Sequence, residues 1–353
     1  MSRPPSASTP KSSKNSASKP NPSKKESSQF LLGIVIVFLS AIFLATQNVI
    51  SRIFFVPSTV FNSFMLGGWL SPSLSNIVML LATRMGLMAL LLAVVAPRLY
   101  NGTFRSLGQL TKAPKLLSYV VGSGLCLFVG LISLYLSLSQ VAAGIAIATF
   151  FIYPAVTVLL AWRFLQQRPQ RYQLALMLVI LCGVVLTTLE PATNSPATTS
   201  PLLGVISGLI AGLNFGLYGI FAEIVLQSRA SNPHTSLHPV PFSLITFFIV
   251  SVFSALSLPL MPPIEVAITA WPPLLSMTLL SAAVTVTGYV LNNSGIRLIG
   301  ASFTALISTS SPVLTALFAW LALQESLRPQ QTLGVVVVTI GVAALSLKAN
   351  NQK

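Results

Sequence analysis

Ten stretches of this chain are each long and apolar enough, or nearly so, to cross a lipid bilayer, and that property limits the fold more than any motif in it. Crossing the hydrocarbon as a helix takes about 20 apolar residues. No water reaches the bilayer core, so every backbone N–H and C=O there must be satisfied internally, which continuous apolar runs achieve as helices. The runs lie near Phe30 to Arg52, Asn76 to Ala96, Leu116 to Leu138, Ala142 to Phe164, Tyr172 to Leu189, Leu202 to Gln227, Phe242 to Leu260, Pro273 to Leu298, Ala301 to Leu323 and Gln331 to Leu347. The expectation is an all-α polytopic membrane protein of ten transmembrane helices in a lipid bilayer. Only 7% of the 353 residues are charged, against about 25% in an ordinary soluble domain. The net charge of +15 would suggest nucleic acid in a soluble protein. Here the basic residues sit in the N-terminal tail and between apolar runs, where they set topology, so no nucleic-acid partner is expected.

The runs are duplicated. Val141 to Glu190 slides onto Ile299 to Lys348 without a gap, placing Ala143 on Ala301, Pro154 on Pro312, Thr157 on Thr315, Trp162 on Trp320 and Gly183 on Gly341. Proline removes a backbone donor inside the fourth and ninth runs, so both helices should bend there, with Pro154 and Pro312 as hinges. Gly33 to Ile53 also aligns with Gly204 to Ile224 at a different offset. Each half then holds five spans, and because five is odd the second half enters the membrane inverted, the plan of secondary transporters. The chain divides into a disordered basic tail (1–28), a first five-helix repeat (29–190), a linker (191–201), a second repeat (202–348) and a C-terminal tail (349–353).

Cytosolic segments retain lysine and arginine. With the N-terminus inside, the inner segments hold six basic residues of the tail, then Arg98, Arg105, Lys112 and Lys115, then Arg163, Arg168 and Arg171, then Arg229, Arg297, Lys348 and Lys353, while the outside keeps Arg52 and Arg328. Both termini are expected in the cytosol, and the membrane is expected to be a bacterial plasma membrane. The Ser- and Lys-rich tail leaves a plastid or other organelle membrane as the alternative. The outer loop Phe54 to Ser75 is unusually apolar and is read either as lying at the interface, over the mouth of a cavity, or as a plain insertion.

Polar side chains inside the spans mark the candidate site. Thr304, Ser308, Ser311 and Thr315 share one helical face beside Pro312, and the equivalent face of the fourth run carries Tyr153 and Thr157. Asn214 and Tyr218 would each cost several kcal/mol unpaired in lipid and should point inward. Gln47 and Asn48 lie in the corresponding region of the first run, and Thr285, Tyr289 and Asn292 lie on one face of the eighth. These neutral groups suit a small organic solute, although small hydroxyls also serve helix packing. Gly204, Gly208, Gly212 and Gly216 form a smooth ridge for a neighbouring helix. Arg84 is the one basic residue well inside a span. It either attracts an anionic or carboxylate-bearing solute, or snorkels to the outer surface and pairs locally. Glu223, near the end of its span, is expected to meet water, leaving no buried carboxylate to carry a coupling ion.

Cys126 and Cys182 fall inside apolar runs, where a disulfide framework is not supported. His234 and His238 lack a third ligand, so no metal is expected. The spans hold no nucleophile with an activated base, so no enzyme and no cofactor are expected. Oligomeric state is not readable.

Two five-span halves, a proline in the fourth span of each, the run Pro312 to Glu325 followed by Gly334 and Gly341, and an arginine in the second span at Arg84 together resemble the drug/metabolite transporter superfamily, in its EamA-type branch. Gln167 stands where that pattern usually has glutamate, Leu176 where the second half has Gly334, and the seventh span has no arginine equivalent to Arg84. The resemblance implies a carrier for small organic metabolites, often amino acids and often outward-directed, with a central cavity. Its substrate-binding candidates here are Gln47, Tyr153, Thr157, Asn214, Tyr218, Tyr289, Asn292, Ser308, Ser311 and Thr315. A non-transporting assembly factor or sensor would instead keep Asn214, Tyr218, Ser308 and Ser311 buried and paired.

Overall fold

The apolar runs form helices that bundle with their polar stripes inward. In a computed structural model of the full chain, the described residues are 22–55, 57–61, 63–71, 73–140, 149–188, 201–227, 236–323 and part of 329–344. The linker 191–200 and most of the tenth run lie outside them. In chain order the helices are α1 (Pro22–Phe55), α2 (Leu74–Leu99), α3 (Thr103–Leu110), α4 (Pro114–Gln140), α5 (Tyr153–Leu165), α6 (Arg171–Thr188), α7 (Pro201–Leu226), α8 (Pro239–Ser257), α9 (Trp271–Ile299), α10 (Ala301–Ser308) and α11 (Ser311–Leu323). Among the described residues seven stretches are long and apolar enough to cross a membrane, with α5 and part of α6 as shorter apolar helices. The protein is an all-α polytopic integral membrane protein.

The exposure pattern follows from lipid as solvent. On α9, Leu275, Leu279 and Leu280 are exposed while Thr278, Ser281, Thr285 and Asn293 are buried. That is the reverse of a soluble amphipathic helix, because aliphatic groups cost nothing against acyl chains and hydroxyls do. Trp162 and Trp320, matched in the duplicated stretch, are both outward-facing.

Three features depart from the sequence expectations. Helix α1 begins at Pro22, inside the stretch 1–28 expected to be disordered. Proline suits a first helical position, where its missing N–H has no partner to lose. The outer loop contains a two-stranded antiparallel hairpin, β1 (Ser58–Val60) with β2 (Phe64–Leu66), pairing Thr59 with Met65. The Phe61 N–H donates to the Ala322 carbonyl at the end of α11, which ties the hairpin to that end of the bundle. The loop before α4 contains the short helix α3, which the span-based reading did not anticipate.

The fourth and ninth runs are interrupted in the same way. Ile152 N–H donates to the Thr149 carbonyl ahead of Pro154, and Ser310 N–H donates to the Ile307 carbonyl ahead of Pro312. These four residues are equivalent in the duplicated stretch, and the breaks fall where proline cannot continue the helical ladder. The side chain of Pro312 lies outside the described residues.

The tightest packing joins α4 to α7, α1 to α9, and α2 to α8; α5 lies on α7, α1 also meets α10 and α11, α9 meets α2, α4 meets α8, and α5 meets α10. The glycine ridge of α7 receives the broken fourth run: a methyl group on Gly212 would stand 2.6 Å from Ile152 Cγ2 and 2.8 Å from the Phe150 carbonyl oxygen.

Candidate functional site

Where α1, α2, α4 and α9 converge, the interior is polar. Gln47 of α1 is buried, and its Oε1 accepts from Ser51 Oγ at 3.1 Å and from Ser281 Oγ of α9 at 3.0 Å. Arg84 of α2 donates from Nη1 to Ser51 Oγ at 3.4 Å and from Nη2 to the Tyr135 hydroxyl of α4 at 3.3 Å. Its Nε has no partner, and the side chain is only 2% exposed. Arg84 stands ten residues along α2 from Leu74, about 15 Å into the helix at the usual rise per residue. Its guanidinium is enclosed within the bundle, where it pairs locally with groups near the ends of α1 and α4. Ser51 and Tyr135, brought from two other helices, hold the guanidinium inside. Tyr289 of α9 lies within electrostatic reach of Arg84 and Tyr135, and its ring packs edge-on against Phe247 at 5.6 Å.

A second group adjoins it. Ser308 Oγ donates to Asn292 Oδ1 at 3.3 Å, and the Tyr153 hydroxyl reaches the Ala305 carbonyl at 3.5 Å. Asn48 Nδ2 donates to Thr315 Oγ1 at 3.1 Å, joining α1 to α11. Thus Gln47, Asn292, Ser308, Tyr153 and Thr315 all take part in polar contacts about the helix junction. Ser311 and Thr157 are buried, and Thr157 bonds back to the Tyr153 carbonyl at 2.8 Å. Tyr218 is buried with its hydroxyl donating to Asn293 Oδ1 at 2.9 Å, and Asn293 Nδ2 donates to Ser243 Oγ at 2.8 Å. Asn214 is half-buried, lies beside Gly130 of α4, and donates to the Ile210 carbonyl one turn back at 2.8 Å. That local bond satisfies a donor without a partner helix.

Glu223 overturns its expectation of water contact. It is 2% exposed, and its carboxylate accepts from the Ala301 N–H at 2.7 Å and from Gln167 Nε2. Gly300, at φ +85, turns the chain so that α10 starts against this carboxylate. A negative group at a helix N-terminus satisfies an orphan N–H and suits the helix dipole. Gln227, just past the end of the same helix, donates to the Ile296 carbonyl at 2.7 Å, closing the end of α9. One tie therefore links α7, the α9–α10 turn and the turn after α5.

A chain 37% identical over 318 residues, an uncharacterized transporter of Synechocystis, matches 90% of this chain and 93% of its own length. The EamA-like transporter family model matches residues 202–347. The chain belongs to the EamA-like transporter family. A second relative, the uncharacterized transporter YyaM of Bacillus subtilis, is 24% identical over 193 residues, 55% of this chain and 61% of its own. A solved crystal structure superposes with a TM-score of 0.66 at 16% identity, covering 92% of this chain and 99% of that one, and so shares the fold.

As an EamA-like protein the chain is a membrane transporter, and its task is to move a solute rather than to make or break bonds. Two surface clefts flank the junction without reaching it. One of about 310 Å³ lies beside the hairpin, between Leu66, Trp69, Pro273 and Met277. The other, of about 180 Å³, lies beside the Glu223 tie, between Gln167, Gln173, Ser302 and Phe303. Among the described residues no group of three metal-ligating side chains occurs. His238 caps α8 with Nδ1 accepting from the Val240 N–H at 3.3 Å and stacks on Tyr100 at 4.1 Å; His234 lies outside the described residues. Burial, and then the nearby charge of Arg297, push His238 down to about 4. Sequence reasoning missed Ser51, Tyr135, Ser281, Ser243 and Asn293 as members of the polar interior. A lone hydroxyl or amide in an apolar run carries no periodic signal, and only the helix contacts reveal its partners.

Proposed function

We propose that this EamA-like protein is a secondary transporter that moves a small organic metabolite, an amino acid or related compound, by alternating access between two inverted five-helix repeats. The observation that carries the reading is the polar junction at Gln47, Arg84, Tyr135, Ser281 and Tyr289, which draws on helices of both repeats.

The packing supports a two-fold relation between the repeats. If α1 is exchanged with α7, α2 with α8, α4 with α9, and α5 with α10 and α11, then α1 on α9 becomes α7 on α4, α9 on α2 becomes α4 on α8, and α5 on α7 becomes α10 and α11 on α1. Side chains obey the same exchange. A methyl on Gly288 would meet Leu44 at 2.9 Å and Phe43 at 3.3 Å; one on Gly130 would meet Phe215 at 2.8 Å and Asn214 at 3.3 Å. Gly130 and Gly288 differ by the offset of the duplicated stretch, as Phe43 and Asn214 differ by that of the first runs. With five spans per repeat, such an exchange inverts one repeat in the membrane, with both termini on the cytosolic side.

The two repeats rock about the junction, with the breaks before Pro154 and Pro312 as hinges. Asn76 ties the outer ends of the bundle by donating to the Glu265 carbonyl, and the Glu223 tie closes the opposite end. A non-transporting assembly or sensor protein accounts for the Tyr218–Asn293 pair but not for a buried cation with an unmet donor.

The test is uptake and counterflow of a broad metabolite panel in proteoliposomes, combined with labelling of single cysteines placed at Ser308 and Tyr289 from each side. Movement of at least one solute, with labelling that alternates between sides, is expected. A panel in which nothing moves, with labelling fixed to one side, overturns the reading.

A further inference from the structure

Among the described residues, the buried polar atoms without a hydrogen-bond partner are four hydroxyls and one nitrogen of a charged group, Arg84 Nε. A guanidinium has five N–H donors. Two are engaged, both by neutral hydroxyls and at 3.3 and 3.4 Å, so three remain. Neither glutamate in the neighbouring part of the fold offers it a counter-charge. Glu223 is held at the Gly300 turn, and Glu265 lies in the outer loop, with its backbone bonded to Asn76. A buried, unpaired charge is strongly disfavoured, and inside a membrane such a group marks a site that something else completes.

The duplicated half supplies an internal control. The offsets that align the repeats carry Gln47 onto Tyr218 and Tyr135 onto Asn293. In that half the two residues bond to each other at 2.9 Å, and Asn293 bonds to Ser243 of α8 at 2.8 Å, giving a closed, neutral network. Helix packing in this fold is thus satisfied by neutral groups at these positions. The first half keeps the same helix junction but sets a cation in it with donors to spare.

We propose that Arg84 is the anion-binding centre of the transport site and that the solute carries a carboxylate, which takes the open Nε edge of the guanidinium. This deepens the transporter reading and rests on it. A carboxylate matches the planar fork of an arginine and can accept two of its donors together. Tyr135 and Ser51 position the guanidinium from behind, and the Phe247–Tyr289 pair offers an aromatic wall for the rest of the solute.

The experiment measures thermal stabilisation of the purified full chain in detergent by amino acids, acetate, pyruvate and benzoate, each beside its amide, with chloride and phosphate as inorganic anions. Transport of the same panel is measured in phosphatidylethanolamine–phosphatidylglycerol liposomes. At least one carboxylate is expected to stabilise saturably, with its amide binding about tenfold to hundredfold more weakly. Arg84→Met should lose that preference while remaining folded, and Arg84→Lys should keep a weakened form of it. Amides that bind as well as acids, a preference unchanged in Arg84→Met, or no stabilisation by any carboxylate overturns the proposal. Stabilisation by chloride or phosphate with no advantage for carboxylates reassigns the site to inorganic anions and also overturns it. The two readings fail separately. Transport of a neutral or cationic solute that survives Arg84→Met sinks the carboxylate site alone, whereas tight carboxylate binding without any transport sinks the transporter reading alone.

Discussion

Replacing Glu223 by alanine should loosen the end of the bundle at the α9–α10 turn. Its carboxylate is the recorded acceptor for two donors from distant parts of the chain, the Ala301 N–H at 2.7 Å and Gln167 Nε2, at a site 2% exposed. Water cannot readily take its place, and a buried donor left unmet costs about 1–3 kcal/mol. Loss of the favourable charge at the start of α10 adds about 0.3–1 kcal/mol. With two donors unmet, the expected destabilisation of Glu223→Ala is therefore about 2–7 kcal/mol. Glu223→Gln keeps an acceptor for Ala301 but turns an amide nitrogen toward Gln167 or gives up one contact, and should cost about 1–2 kcal/mol. Unfolding in detergent reads the stability. A double-mutant cycle with Gln167→Ala isolates the side-chain pair, expected to couple by about 1.5–3 kcal/mol as a hydrogen bond to a charged group. A cysteine at Ser302, in the adjoining cleft, reports opening and should label faster in the Glu223→Ala background. Stability equal to wild type with additive single mutants and unchanged labelling would refute the tie.

His238 gives a pH dependence with a definite sign. Its folded value of about 4 lies below the ordinary 6.5, so its contribution to stability is complete above 6.5 and is lost as pH falls from 6.5 toward 4. Protonation also removes the Nδ1 acceptor for Val240. Melting curves across that window should show wild type losing its advantage over His238→Asn, a cap that does not titrate. Gly130→Val and Gly288→Val should each destabilise by about 1–3 kcal/mol through overpacking; a large effect at one and none at the other, read by thermal melts, would count against the two-fold relation. Tyr218→Phe leaves Asn293 Oδ1 without its donor and should cost about 1–3 kcal/mol in unfolding measurements. It should leave the carboxylate-over-amide preference intact, separating that network from Arg84.

The ladder of apolar runs, the duplicated stretch and the breaks ahead of Pro154 and Pro312 were legible in the sequence because each rests on local physics. An apolar run in lipid must be a helix, and a proline interrupts its hydrogen bonding wherever the helix is packed. Thr157 and Thr315, read from the sequence as substrate-binding candidates, each bond back to the preceding turn at 2.8 Å. Apolar periodicity could not show the outer hairpin, whose pairing depends on a turn and on a backbone bond to Ala322.

What the sequence by itself determined is the class of molecule: a helical membrane protein whose sequence repeats a stretch and scatters polar groups through its apolar runs. Which polar group meets which was decided only by the tertiary structure. Glu223 read as a solvated residue near a helix end, but Gln167 and Ala301, 56 and 78 positions away, cover it and fill its hydrogen bonds. Arg84 could be read from the sequence either as a solute-attracting group or as a snorkelling, locally paired one, and it is Ser51 and Tyr135, from two other helices, that meet it in the fold. The physical reason is the same in both cases. The cost of a buried charge is set by the dielectric and the donors around it, and those are supplied by helices that the chain reaches only on folding.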